Sequence, residues 1–145
     1  MQRPLDGFRV LDLSAESGFL CGRMLAELGA DVIKIEPPSG DPARFRPPYV
    51  GSVADPERAI AWLAYNASKR GVTLDLSRVE GRALLDRLCA TADALVETYD
   101  PATLAALKLD WDTLHAAHPR LVVCSITPRA SRATSSPDAA SAPPW

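Results

Sequence analysis

The chain has 145 residues, 47% of them hydrophobic and 23% charged, with a formal net charge of −2. One domain with a core of ordinary size is expected from that length. The charge balance gives no general electrostatic case for nucleic acid or an anionic membrane. No stretch is apolar for long enough to suggest a membrane span, and Met1–Leu5 lacks a signal-peptide apolar region, so a cytoplasmic protein is expected.

Phe8–Ser14 reads as a strand, followed by a short polar loop, Ala15–Gly18. Phe19–Leu28 carries apolar residues at Leu20, Met24, Leu25 and Leu28, which is helical spacing. Gly29 suits the left-handed residue that stops such a helix. Asp31–Glu36 is then a second strand, and the three pieces make a β-α-β unit. Sheets built from such units bind ligands at the carboxyl ends of their strands.

From Pro37 to Arg58 the periodicity dissolves into six prolines and three arginines. Ala59–Asn66 reads as a short helix or extended segment containing Trp62, Leu63 and Tyr65. Val72–Leu76 is predicted as a strand. Ser77-Arg78-Val79-Glu80 has the capping-box pattern, opening a helix to about Cys89 with Val79, Leu84, Leu85 and Leu88 on one face. Ala94–Glu97 is a fourth strand. Pro101 suits the first turn of a helix running to about Leu107. Asp110 can cap Trp111–His115, and Leu121–Ile126 is a fifth strand. Strands alternating with helices imply an α/β fold with a mostly parallel sheet. Residues 129–145 contain no Val, Ile, Leu, Met or Phe, and disorder is predicted there.

Among residues that could carry chemistry, the loop after the first strand has only Gly18, then Gly22 inside the helix. It is therefore not a dinucleotide fingerprint. A helix start still offers free N–H groups to an anion, although Glu16 would repel one unless it points outward. Asn66, Ser68, Lys69 and Arg70 place two cations beside two small polar residues, a pattern that can hold a phosphate or be a solvated loop. His115 and His118 lie three apart, but nothing completes a metal-ligand set, and surface or cap roles are expected. Asp12, Glu36, Asp75 and Glu97 sit near strand ends without local partners. Cys21, Cys89 and Cys124 form no Cys-x-x-Cys pair and read as buried free thiols.

Four blocks carry a family resemblance: Leu5–Ser14, Leu25–Asp41, Asn66–Leu76 and His118–Pro128. In order and spacing the chain resembles the family III CoA-transferases of the CaiB/BaiF type. The resemblance implies a Rossmann-like large domain with helices on both sheet faces, in an interlocked homodimer. It implies transfer of coenzyme A from an acyl-CoA to a carboxylate, through anhydride and thioester intermediates on an aspartate. It also implies where CoA lies: Glu16, Ser17 and Gly18 face its pantetheine or phosphate end. Tyr65, Asn66, Ala67, Ser68 and Lys69 lie along the nucleotide. Thr98 and Tyr99 stand where relatives carry Asn-Phe. No metal is implied.

Three departures accompany the resemblance. Glu97-Thr98-Tyr99-Asp100-Pro101-Ala102 replaces Glu-Asn-Phe-x-Pro-Gly, and Asp100 adds a negative charge near a polyphosphate. Pro37 stands where some relatives carry an arginine. After Pro128 the family continues Phe-Gly-x-x-Gly-Pro and reaches its nucleophilic aspartate, whereas this chain reads Arg129-Ala130-Ser131. The expectation is an N-terminal portion of the large domain, residues 1–128, with no catalytic aspartate, no activity alone, and a tail resembling a GC-rich frame read out of register. Two other readings stand beside it: a fragment of an α-methylacyl-CoA racemase-type enzyme, and a non-catalytic CoA-binding or interaction module completed by another chain.

Overall fold

The computed structural model describes residues 2–127. Five strands, β1 (Arg9–Leu13), β2 (Asp31–Glu36), β3 (Arg70–Thr73), β4 (Ala94–Glu97) and β5 (Val122–Ser125), form one parallel sheet in the order β3-β2-β1-β4-β5. This is the strand order of doubly wound sheets, with the order reversing beside β1. Five helices accompany it: α1 (Phe19–Glu27), α2 (Ile60–Asn66), α3 (Val79–Cys89), α4 (Pro101–Leu107) and α5 (Trp111–Ala117). None of the described helices is long and apolar enough to cross a membrane. The 129–145 tail lies outside the described residues.

Side-chain alternation along the strands sorts the core into two layers. Leu11, Leu13, Ile33, Ile35 and Leu95 point to one face and pack with Leu85, Cys89, Leu104, Leu109, Leu114 and Leu121 from the α3–α5 side. Val10, Val32 and Val96 point to the other and pack with Ala26 of α1. Helices therefore cover both faces. Leu11, Leu85 and Leu95 are fully buried, which stabilises by about 1.5–3 kcal/mol each. On the α1 side, α2 closes a smaller cluster, where Phe19 meets Trp62 edge-on at 5.6 Å between ring centroids.

Local signals place most boundaries. Gly29 takes φ +112° directly after α1, a conformation glycine adopts at no steric cost. Asp100 and Asp110 each cap a helix with their carboxylates, and Pro101 follows Asp100 at the first helical position.

Four expectations need correction. Ser77 does not cap α3: its hydroxyl and its N–H both donate to Asp75 Oδ1, and the N-cap residue is Arg78 without a side-chain bond. The Asp75 turn outcompetes the capping box. Gly81 packs so closely on the Asp75 carbonyl that a Cβ there would strike it, which fixes the helix start by backbone contact. The inner face of α3 is accordingly Gly81, Leu85 and Cys89, while Val79 and Leu84 are exposed. Strand β3 begins at Arg70, two residues early, because Ile33 to Glu36 of β2 pair with Arg70 to Thr73. Cys124 is exposed, since β5 is the edge strand among the described residues; Cys89 is buried and Cys21 half-buried.

Candidate functional site

The carboxyl ends of β1, β2 and β4 hold an unusual concentration of buried charge. Asp12, Lys34, Glu36, Asp41 and Glu97 are all buried, as is Ser14. Register explains the grouping: Asp12 of β1 lies opposite Lys34 of β2. Both point to the α1 face, where a strand covered on both sides cannot release them to water. Buried charges must be paired, and the partners arrive from distant segments.

Lys69 Nζ donates to Asp12 Oδ2 at 2.7 Å, to the Phe19 carbonyl at 2.9 Å and to Asn66 Oδ1 at 2.9 Å. The other Asp12 oxygen accepts the Ser14 N–H at 2.9 Å and the Ser14 hydroxyl. Lys34 donates to the Ser14 carbonyl and lies 3.6 Å from Asp41. The two ammoniums flank the Phe19 ring at 5.0 and 5.4 Å from its centroid. Burial pulls the Lys34 ammonium below its ordinary pKa, and the carboxylates of Asp12 and Asp41 oppose that shift.

A second cluster anchors the proline-rich segment. Arg44 makes a bidentate contact with Glu36, at 2.6 and 2.9 Å, while stacking 4.1 Å over the Trp62 ring. Burial would raise the Glu36 carboxyl, but the Arg44 guanidinium and the Asp41 N–H hold it below its usual value. Two turns of 3-10 helix, Pro42–Phe45 and Val50–Ser52, give this segment its shape.

Around these clusters lie the residues that the sequence pattern singles out. Ala15–Gly18 closes as a 3-10 turn over Glu16–Gly18, and the Ala15 N–H donates to Thr98 Oγ1 at 2.7 Å. Glycine at position 18 is a packing requirement: an added Cβ would lie 2.8 Å from Thr98 Cγ2 and against Ser14. The turn after β1 and the segment after β4 are thus in direct contact. Glu16 points outward to an ion pair with Arg46. Ser17, Ala67, Ser68 and Tyr65 are exposed. Asn66 turns inward, its amide donating to the Trp62 carbonyl.

Not everything converges. The Tyr99 ring packs against the α3–α5 layer, on the opposite face from Asp12, and burial raises its phenol pKa. Its N–H donates to Glu97 Oε2 at 2.6 Å, while Glu97 Oε1 has no hydrogen-bond partner among the described residues. Lys69 and Arg70 diverge: Arg70 reaches Asp31 at 3.0 Å, at the other end of β2. His118 sits 2.7 Å from Asp86 and His115 stacks on Trp111 at 4.9 Å. Among the described residues no group of three or more His, Cys, Asp or Glu could hold a metal. A groove of about 480 Å³ beside α4 and α5 is lined by Leu104, Leu109, Trp111, Val123 and Ser125, on the face away from Asp12.

Lys34, Asp41 and Phe19 were not singled out by the sequence pattern, and Asp12 and Glu36 lacked visible partners. The usable signal was a charged residue at an inward position of a strand flanked by apolar neighbours, which demands a partner somewhere.

Comparison with known proteins bears on the family and the fold. Residues 5–139 match CoA-transferase family III, a match reaching past Pro128. The chain is 43% identical over 129 residues to succinate–glutarate CoA-transferase of Agrobacterium fabrum, covering 86% of this chain and 32% of that protein. It is 40% identical over 128 residues to succinyl-CoA:(R)-benzylsuccinate CoA-transferase subunit BbsE of Thauera aromatica, with coverages of 88% and 31%. The crystal structure of a CAIB/BAIF family protein from Brucella suis superposes with a TM-score of 0.78 at 40% identity, over 88% of this chain and 34% of that one. The chain spans about a third of the length of the relatives it matches. With the family's pattern running along nearly all of it, the chain belongs to CoA-transferase family III.

Proposed function

We propose that residues 2–127 supply the CoA-facing loops of an acyl-CoA:carboxylate CoA-transferase. Glu16, Ser17 and Gly18 face the pantetheine or phosphate end, Tyr65 to Ser68 and the Lys69 backbone lie along the nucleotide, and Thr98 and the Tyr99 backbone flank it. The observation that carries this reading is the 2.7 Å bond from the Ala15 N–H to Thr98 Oγ1. It joins the turn after β1 to the segment after β4, where a doubly wound sheet takes its ligand.

The groups present suit a ligand held by hydrogen bonds and few charges. The hydroxyls of Ser17, Ser68 and Tyr65 lie on exposed residues, and Arg46, with a side chain 64% exposed, is the cation beside the turn. An acyl-CoA and a carboxylate form the substrate class. Overall the donor's acyl C–S bond to CoA breaks, the acceptor's carboxyl carbon forms a new C–S bond to CoA, and the oxygen that carbon gives up leaves on the donor as its free carboxylate. None of residues 2–127 is assigned the nucleophile's role, and covalent catalysis requires one. A cytoplasmic interlocked homodimer belongs to the same reading.

Saturation-transfer NMR of CoA in the presence of the 145-residue chain tests this. Transfer to the pantetheine and adenine protons, reaching a plateau as CoA is raised, is expected. Absence of transfer at millimolar CoA contradicts the reading.

A further inference from the structure

Lys69 and Arg70 are neighbours in a segment that reads as a phosphate site, yet the fold gives them different tasks. The Lys69 side chain is 1% exposed. An ammonium has three N–H donors, and all three have protein acceptors: Asp12 Oδ2, the Phe19 carbonyl and Asn66 Oδ1. No donor is left for a ligand. The acceptors belong to β1, α1 and α2, so one side chain pins three elements together. The chain of bonds continues from Asp12 Oδ1 to the N–H and hydroxyl of Ser14, the residue that opens the turn. The next residue, Ala15, is held by Thr98.

We infer that Lys69 is a positioning residue, fixing the Ser14–Gly18 turn through Asp12 rather than contacting the phosphates of CoA. This deepens the function proposed above and rests on it only for the ligand's identity. Electrostatics favours the same division of labour. Each ammonium is neutralised where it stands, Lys69 by Asp12 and Lys34 by Asp41. A phosphate approaching Lys69 would have to displace Asp12 from a site closed to water, and a buried charge left without its partner is costly.

Hydrogen exchange read by mass spectrometry, on the 145-residue chain without ligand, tests the inference. In Lys69→Met the amides of residues 14–19 should exchange about tenfold faster relative to the β1–β4 ladder. Should that variant fail to fold, Asp12→Asn combined with Lys69→Met removes both charges, keeps an acceptor for Ser14, and is expected to show the same acceleration. CoA and pantetheine are then titrated against the same proteins. A positioning role weakens both by the same factor, because the turn itself is displaced. Unchanged exchange at 14–19, or a loss confined to CoA, overturns the inference. Accelerated exchange in a chain that binds no CoA upholds the positioning role and defeats the function proposed above, so the two can fail separately.

Discussion

Lys69 Nζ lies 2.7 Å from Asp12 Oδ2, and the two side chains are 1% and 0% exposed. Fifty-seven residues separate them in sequence, so this one ion pair ties the first strand to the segment before β3. Removing either partner strands a buried charge, which costs about 3–5 kcal/mol. Lys69→Met and Asp12→Leu should each destabilise by that order, and the double variant by clearly less than their sum. Urea denaturation of the four proteins gives the coupling.

Gly22 lies inside α1 against the same pair. A Cβ there would strike the Asp12 carboxylate and come within 3.0 Å of Lys69 Nζ. Alanine gains about 1 kcal/mol of helix propensity over glycine. That gain is outweighed, because Asp12 is held on both sides and cannot yield; overpacking costs about 1–3 kcal/mol. Gly22→Ala should therefore lower Tm, whereas alanine at exposed Gly71, with nothing near its added Cβ, should leave it almost unchanged. Thermal denaturation followed by circular dichroism distinguishes the two.

The acid limit of the fold should carry the signature of Glu36. Its carboxyl sits below its ordinary value of 4.5 despite burial, held there by Arg44 and the Asp41 N–H. A depressed carboxylate contributes stability that is complete above the unfolded value and is lost as pH falls through the folded one. Tm should fall as pH drops below about 4.5. Glu36→Gln should have a lower Tm at neutral pH and a flatter acid limb. Asp31, lowered chiefly by its hydrogen bond from Arg9, adds to the wild-type slope at still lower pH.

Asp100 separates capping from ligand charge. Its carboxylate accepts the N–H groups of Ala102 and Thr103, both at 3.0 Å, at the start of α4. Asp100→Asn keeps the cap and removes a negative charge near the proposed polyphosphate. It should hold its Tm and tighten CoA, most visibly at low salt. Asp100→Ala should instead lower Tm by roughly 5 °C. Calorimetry at two salt concentrations reads both effects.

The sheet was legible in the sequence because its signals are local. Asp31–Glu36 and Ala94–Glu97 are short apolar runs between turn residues, and the structure keeps both sets of bounds. Capping by Asp100 and Asp110 is local too. The misreadings arose where a backbone contact or a turn won over the side-chain pattern. Gly81 docks on the Asp75 carbonyl and rotates α3 away from the face suggested by Leu84 and Val79. Pairing with β2 pulls β3 back to Arg70. The ionic lattice was hidden because Lys69 and Asp12 meet only once the sheet order brings β3, β2 and β1 together. Loop positions such as Ser17, Ala67 and Thr98 were reached through the family resemblance rather than through spacing.

Under the proposed function, the carboxyl-end loops of this sheet hold CoA. Titration of CoA into uniformly ¹⁵N-labelled chain tests it most directly. Saturable amide shifts concentrated in Ala15–Gly18, Tyr65–Lys69 and Thr98–Tyr99 are expected. Shifts confined to the opposite end of the sheet, around Asp93 and His118, or none at all, would contradict it.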